Sequence, residues 1–405
     1  MKILQINAVY GDGSTGKIVA DIHNLCLQDG IESYVAYSVS PIPQKNIVNG
    51  YRVGGPFGKK LHALLCRLSG KRAYFSSHAT RRLLRYMDRL QPDIVHLHNL
   101  HGNFIHLNML LKYLAERDIA TVLTLHDCWF YTGGCVYYTP HNCERWLEQC
   151  GMCPKKHLEV PSYFGDRTSD VLRDKAMYFS AIPRVTVCGV SNWIASEAQR
   201  SFLGEKSVRT IYNGIDFDVF YPEESSLRSR WGVEGKFVVL GPASKWLDPI
   251  NRDTLRCVAA GLDEDCVLVL FGYLGGYDDT LPSNVKVVGH VSDMHELRCI
   301  YSAADVFVNC TREDALSLIS VESQACGTPV ITYRNTGVQE TVDGECGFTV
   351  ETGDGDALLE RIRQVKAIGK AALSDQCRAF VKEKFDRDRN YRQFIDLYRE
   401  ICQEN

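Results

Sequence analysis

Apolar and polar residues alternate with two different periods along this chain, and the switches between them trace a repeating strand–helix plan. Residues 2–9 (KILQINAV) are β-rich and alternating, a first strand, and 18–29 then carry apolar residues at helical spacing. Strand-type runs recur at 33–38, 93–98, 121–126 and 184–190, separated by longer helical or polar stretches. A second series follows at 237–240, 267–271, 285–288 and 306–310, and 330–331 opens another. Alternating strands and helices predict parallel sheets joined by right-handed crossovers. With 405 residues the chain exceeds one core and suits two domains of roughly 180–200 residues. The fold class expected is therefore α/β, with two Rossmann-like, doubly wound halves at 1–208 and 209–385. A last helix over 386–405 places Tyr391, Phe394, Ile395 and Tyr398 on one face.

Ligands of open parallel sheets gather at the carboxyl ends of the strands. His98 and His126 both end strands and are followed by Asn99 and Asp127, while Ser191 and Asn192 end another. For each histidine alone a packed or capping role is the simpler reading; two at one edge point to a site. The first strand runs into GDGSTGK, and the spacing Gly11-x4-Gly16-Lys17 nearly matches a phosphate-cradling P-loop. Ile18 stands where that motif needs a magnesium-binding hydroxyl.

The stretch 301–331, YSAADVFVNCTREDALSLISVESQACGTPVI, reads as a strand at 306–310, a polar turn at 311–314 and a helix over 315–325. Gly327 and Pro329 close that helix. A helix N-terminus behind a strand is a ready anion site. Acids such as Asp314 and Glu322 beside it suit hydroxyl groups rather than phosphate, so the combination points to a sugar nucleotide. The bland alternative makes Asp314 a helix cap and Glu322 a solvated charge.

Asp314-x7-Glu322 followed by SQACGTPVI resembles the E-x7-E…A-x-G-x-PV signature of family 4 retaining glycosyltransferases, and matching segments follow one another along nearly the whole chain. The resemblance implies the GT-B fold, with an acceptor domain first, a donor domain second and the final helix returning to the first. It gives Glu322 the ribose hydroxyls and Asp314 the donor sugar, with Glu313 beside it. Backbone at Ala315, Leu316 and Ser317 would meet the diphosphate. DIVHLHNL and LTLHDCWFYTGGC resemble a subgroup whose strand-end histidines, here His98 and His126, line the site. Gly11, Gly13 and Gly16 then form the family's glycine loop. IYNGID, with Asn213, resembles the turn joining the two domains. Relatives carry two cations in the loop GPASKWLDPINRD; Lys245 fills the first place, Ile250 occupies the second, and Arg252 lies two residues on. A GT-B protein that does not transfer sugar, or a P-loop NTPase, are the rivals.

Composition narrows the partners. With 46 basic and 49 acidic side chains, bulk nucleic-acid binding is not implied. No run of about 18 apolar residues is present, and the N-terminal run is too short for a signal peptide. The sixteen cysteines are therefore read as reduced and cytoplasmic. Residues 57–90 carry many Lys and Arg against Asp88 alone, with Leu61, Leu64, Leu65 and Leu68 at helical spacing. That pattern fits either a charged solvated face or a membrane-surface helix at the anionic inner leaflet. A polyprenyl-diphosphate-linked acceptor would give the second reading a purpose. Finally, Cys135, Cys143, Cys150 and Cys153 have the ligand count of a structural Zn(II) site, with buried thiols or disulfides as alternatives. Catalysis by the family implies no cofactor.

Overall fold

The computed structural model describes residues 1–159, 162–272, 281–289, 291 and 293–403. The chain forms two compact units, Met1–Asn213 with Asp388–Asn405, and Gly214–Arg387.

In the first unit the order is β1 (Lys2–Val9), α1 (Gly13–Gln28), β2 (Glu32–Val39), β3 (Gly50–Arg52), α2 (Pro56–Ser69), α3 (Ser77–Leu90) and β4 (Ile94–Leu97). It continues with α4 (Leu107–Glu116), β5 (Ala120–Leu125), α5 (Thr168–Ser180), β6 (Val185–Gly189), α6 (Asn192–Arg200) and β7 (Ser207–Thr210). The second unit holds α7 (Leu227–Trp231), β8 (Phe237–Pro242), α8 (Ala243–Trp246), α9 (Arg252–Gly261), β9 (Cys266–Phe271) and β10 (Val285–Val287). After these come α10 (Met294–Ala303), β11 (Val306–Asn309), α11 (Leu318–Ala325), β12 (Val330–Tyr333), β13 (Phe348–Val350), α12 (Gly355–Ile368) and α13 (Lys370–Phe385). The last helix, α14 (Arg387–Gln403), belongs to the first unit from Asp388 onward.

Each unit is built on one all-parallel sheet, ordered β3-β2-β1-β4-β5-β6-β7 in the first and β10-β9-β8-β11-β12-β13 in the second. All six residues of β5 (ATVLTL) and of β9 (CVLVLF) are buried, as strands covered on both faces must be. In unit 1, α14 lays Tyr391, Phe394 and Tyr398 against Ile22, Ile94, Val122 and Cys188. The Tyr398 hydroxyl meets His96 Nδ1 at 2.5 Å. Unit 2 packs Val239, Leu268, Val308 and Ile331 with Trp246, Leu255 and Leu358.

Several boundaries move relative to the sequence reading. The divide falls after Asn213, and helix α1 begins at Gly13 rather than at 18. Residues 57–90 form two helices, because Gly70 adopts φ +72 and ends α2. The helix expected over 315–325 starts only at Leu318; the side chains of Ala315, Leu316 and Ser317 are buried in the loop before it. Strands β3, β7 and β13 are three or four residues long and stand at sheet edges, too short to show a period. Residues 404 and 405 of the expected closing helix lie outside the described residues.

Candidate active site

Strand order reverses between β1 and β4 in the first sheet and between β8 and β11 in the second. At these two points crossovers leave on opposite faces, opening a crevice at the carboxyl edge. The sequence candidates emerge there: the glycine loop after β1 and His98 after β4, Lys245 after β8 and 313–317 after β11. The largest cavity described for the chain, about 520 Å3, is lined by Met1, Asp93, Asp118 and Arg184, at the opposite, amino edge of the first sheet. Strand polarity argues against it as the reaction site.

In unit 2 the loop between β11 and α11 is clamped from within. Asn309, fully buried at the end of β11, donates from Nδ2 to Ser317 Oγ and Ser320 Oγ, both at 2.9 Å. Its Oδ1 accepts from Thr311 Oγ1 at 2.6 Å. With Ser317 Oγ accepting from Asn309, the N-cap residue of α11 makes no side-chain cap of its own. The first turn of α11 is thus served by no capping oxygen of Ser317, which suits an anion.

Asp314 does not cap the helix. Its carbonyl accepts from Gly337 N at 3.2 Å and its amide donates to Thr336 Oγ1 at 3.2 Å, which tethers the loop to the turn after β12. Glu322, four residues into α11, accepts from the buried Tyr301 hydroxyl at 2.9 Å through Oε2 and is only partly exposed. It is therefore an oriented carboxylate rather than a solvated charge. Glu313 is likewise half-buried.

A second hub is Asn251, 2% exposed, which donates from Nδ2 to the Lys245 carbonyl (3.0 Å) and the Cys310 carbonyl (2.9 Å). This side chain sews the segment after β8 to the loop after β11. Arg312 completes the knot: Nε donates to Asn251 Oδ1 at 2.8 Å and Nη2 to the Ile250 carbonyl at 3.0 Å. Sequence reasoning missed Arg312, looking for a second cation along the β8 loop and finding Ile250 and Arg252. Arg312 comes from the other loop, a contact with no local signal. Arg252 itself is exposed at the start of α9. Asn213 is buried, at the end of the first segment of unit 1.

In unit 1 the edge is lined by imidazoles. Gln5 Nε2 donates to the Val19 carbonyl at 3.3 Å, so its Oε1 faces His98 Nε2 at 3.1 Å and makes that nitrogen the donor. His98 Nδ1 is then an acceptor, and His126 Nε2, 3.1 Å away, must carry the proton. That assignment leaves His126 Nδ1 as a hydrogen-bond acceptor. Burial lowers His126 to about 4 and keeps His98 and His96 well below the usual histidine range. All three are neutral at pH 7. Beside them Asp127 accepts from the Trp129 amide at 2.8 Å and pairs with His101 Nε2 at 3.0 Å. Burial pushes Asp127 up, but His101 and the Trp129 amide outweigh it and hold the carboxylate below its ordinary value. His101 and Asp127 are the members of this cluster that sequence reasoning did not name as site residues.

The glycine loop is not a phosphate cradle. Gly11 N donates to the Gly16 carbonyl at 2.9 Å, and a Cβ on Gly16 would sit 3.3 Å from Gly11 N. Gly11 and Gly13 take φ +72 and +61. Because α1 begins at Gly13, Lys17 lies a turn inside the helix instead of at its mouth. The turn is closed on itself, contrary to the P-loop alternative. The four cysteines at 135–153 lie in the connection between β5 and α5.

Two family models match, one described as "Glycosyltransferase Family 4" over residues 27–219, the other as "Glycosyl transferases group 1" over 237–367. The chain belongs to this glycosyltransferase family. It is 24% identical over 364 residues to a putative colanic acid biosynthesis glycosyl transferase, WcaC, of Escherichia coli K12, covering 86% of this chain and 87% of that protein. Sucrose-phosphate synthase from Thermosynechococcus elongatus superposes with a TM-score of 0.71 at 18% identity, covering 100% of both chains. Anabaena HepE in complex with UDP-glucose gives 0.66 at 16% identity, covering 99% and 100%. The two parallel-sheet units are thus those of the GT-B fold.

Proposed function

We propose that the protein transfers a sugar from a nucleoside-diphosphate donor to a glycan or polyprenyl-diphosphate-linked acceptor, with retention, in the assembly of a surface polysaccharide. The observation that carries this reading is the joining, through Asn251, of the Lys245 backbone after β8 to Arg312 and the loop after β11, which leads to the α11 N-terminus and the oriented carboxylate of Glu322. Cleaving the bond to the leaving diphosphate places new negative charge on its oxygens. Preplaced cations and helix amides at that point lower the barrier without reorganising. Glu322, fixed by Tyr301, accepts from the ribose hydroxyls. Asp314, whose Oδ1 accepts from Leu316 N at 3.4 Å, meets the donor sugar with Glu313 beside it, and Ala315, Leu316 and Ser317 face the diphosphate through backbone because their side chains are buried. His126 Nδ1 accepts from a sugar hydroxyl, and Gly11, Gly13, Gly16 and His98 serve the acceptor side. No metal is needed for the transfer itself.

A lipid-linked acceptor agrees with the surface of α2. Phe57, Leu61, Leu64 and Leu68 are 80, 45, 48 and 41% exposed at helical spacing, with Lys60 and Arg67 exposed on the same helix and Arg81, Arg82, Arg85 and Arg89 exposed on α3. An apolar stripe flanked by cations fits an anionic lipid surface. None of the described helices is long and apolar enough to cross a membrane.

The test is a panel of UDP-, GDP- and ADP-sugars offered to the purified protein and to Glu322→Ala. Selective hydrolysis or binding of one donor, lost in the variant, is the expected outcome. Indifference to every donor would remove the transferase reading and leave the fold intact. With an acceptor in hand, the anomeric configuration of the product by NMR decides retention.

A further inference from the structure

The connection from β5 to α5, residues 126–167, contains no strand or α-helix among its described residues, only three short 3-10 turns. Ordered segments of such length are uncommon in compact domains and need something to hold them. Cys135, Cys143, Cys150 and Cys153 all line one cavity of about 20 Å3 inside it, walled by Trp146, Tyr138 and Thr168. A space of that size holds one small ion or water molecule. All four cysteines are free.

We propose that these four cysteines bind one structural Zn2+ ion, which staples the β5–α5 connection and so positions His126 and Asp127 at its start. Three features besides the cysteines favour a cation of this type. The first is backbone: in Cys150-Gly151-Met152-Cys153, Gly151 takes φ +144 and Met152 φ +46, a tight turn that brings two thiols of a C-x2-C pair to one side. The second is charge. Four thiolates around Zn2+ carry two net negative charges, and two cations stand ready. Arg145 lines the cavity and donates to the Gly151 carbonyl at 2.6 Å. Lys175, 1% exposed, donates to the carbonyls of Trp129 and Thr132 and lies over the Trp129 ring. The third is shape: a Cβ on Gly133 would fall 2.4 Å from the Thr168 carbonyl and 2.9 Å from Cys150 Cβ, so the cavity wall, the chain before it and the first turn of α5 are already pressed together.

Among the described residues, the groups whose ligand atoms lie within 4.8 Å of one another are Glu223–His295–Cys299 and Asp263–Asp265–Cys266. The four thiols therefore line the cavity without being drawn to one centre, and the ion gathers them by rotation about χ1. On binding, each thiol passes its proton to solvent and each sulfur donates a lone pair to the metal. Four thiolates leave no open coordination position, so the ion is structural.

The test is the metal content of the full chain, purified under reducing conditions from zinc-supplemented cells, by plasma mass spectrometry. One equivalent of zinc per chain is expected. Exchange for Co2+ should give the intense visible bands and thiolate-to-metal charge transfer of a tetrahedral thiolate site. Cys150→Ser and Cys153→Ser should lose both signals, while Cys257→Ser, altered on α9 in the other unit, keeps them. Zinc-free protein that takes up no cobalt, thiol counting that shows these cysteines paired as disulfides, or undiminished zinc in Cys153→Ser would each overturn the proposal. Should the serine variants fail to fold, the wild-type zinc and cobalt measurements still decide it. None of this depends on which donor is used.

Discussion

The two units share a sheet plan but furnish the same topological point with opposite chemistry. At the β1/β4 reversal the edge is a stack of neutral, buried imidazoles beside the Asp127–His101 pair; His96 and His98 lie 4.0 Å apart between ring centroids, and His98 and His126 5.4 Å. At the β8/β11 reversal it is a polar loop held by two buried asparagines, from which partly exposed charges project. A neutral, desolvated surface selects by hydrogen-bond geometry and shape. A charged one answers to an anion whose charge grows during reaction. The difference suits a division in which unit 1 reads sugar hydroxyls and unit 2 carries the electrostatics of the leaving diphosphate.

The comparison breaks most visibly with pH. Burial lowers His23, His62 and His126 to about 4, and all three stand in unit 1. Their folded values lie below the unfolded 6.5, so the stability they contribute is complete above pH 6.5 and is lost as pH falls towards 4. At pH 5 each should cost about 2 kcal/mol. No buried histidine occurs among the described residues of unit 2. Hydrogen exchange between pH 7 and 5 should therefore show unit 1 opening first. If unit 2 opens first, the contrast in burial has no energetic meaning.

Next in size is Arg312→Ala. Removing one charge-stabilising donor typically lowers kcat by about 10²–10³, and that is the fall expected here, together with a lower melting temperature because Asn251 Oδ1 and the Ile250 carbonyl lose their donor. Adding Ile250→Lys should recover much of it, since both positions meet at the Ile250 carbonyl. Failure of the second change to rescue the first would place the cation's role elsewhere than on the diphosphate. Glu322→Ala should act more on donor KM than on kcat, by about 10–100-fold, as a hydrogen bond to a charged acceptor worth about 1.5–3 kcal/mol is lost. Tyr301→Phe, which only frees the carboxylate to turn, should show a weaker form of the same change.

Why one half of the site was readable in the sequence and the other was not follows from chain distance. Asp314, Glu322 and the α11 N-terminus lie within one strand–loop–helix unit, so their spacing put them in one place along the chain although the helix begins three residues later than expected. The strand ends at His98 and His126 were visible too, because each closes an apolar run. Their coupling was not: it depends on Gln5 fixing a tautomer 93 residues away. Arg312 was invisible for the same reason, since its partners Asn251 and Ile250 are 61 and 62 residues upstream. The fold class required only alternation of periods, whereas the start of α11 turned on Asn309 claiming Ser317 and holding 315–317 out of the helix.

The smallest expected effect concerns the surfaces. Most exposed large hydrophobics belong to unit 1, among them Phe57, Leu61, Leu64, Leu68, Leu158 and Phe164, whereas unit 2 shows Tyr221, Ile250 and Ile368. If α2 rests on an anionic leaflet, Lys60→Glu should remove about 1 kcal/mol of attraction for the lost cation, and somewhat more for the added anion. That corresponds to a drop of about fivefold or more in partition onto vesicles containing phosphatidylglycerol. It should fade as salt shortens the Debye length. Leu64→Gln should weaken binding to the same vesicles without that salt dependence, because it removes apolar area rather than charge. Equal binding of both variants and the parent, or equal binding to neutral phosphatidylcholine vesicles, would return the stripe to the ordinary solvated surface of a basic helix.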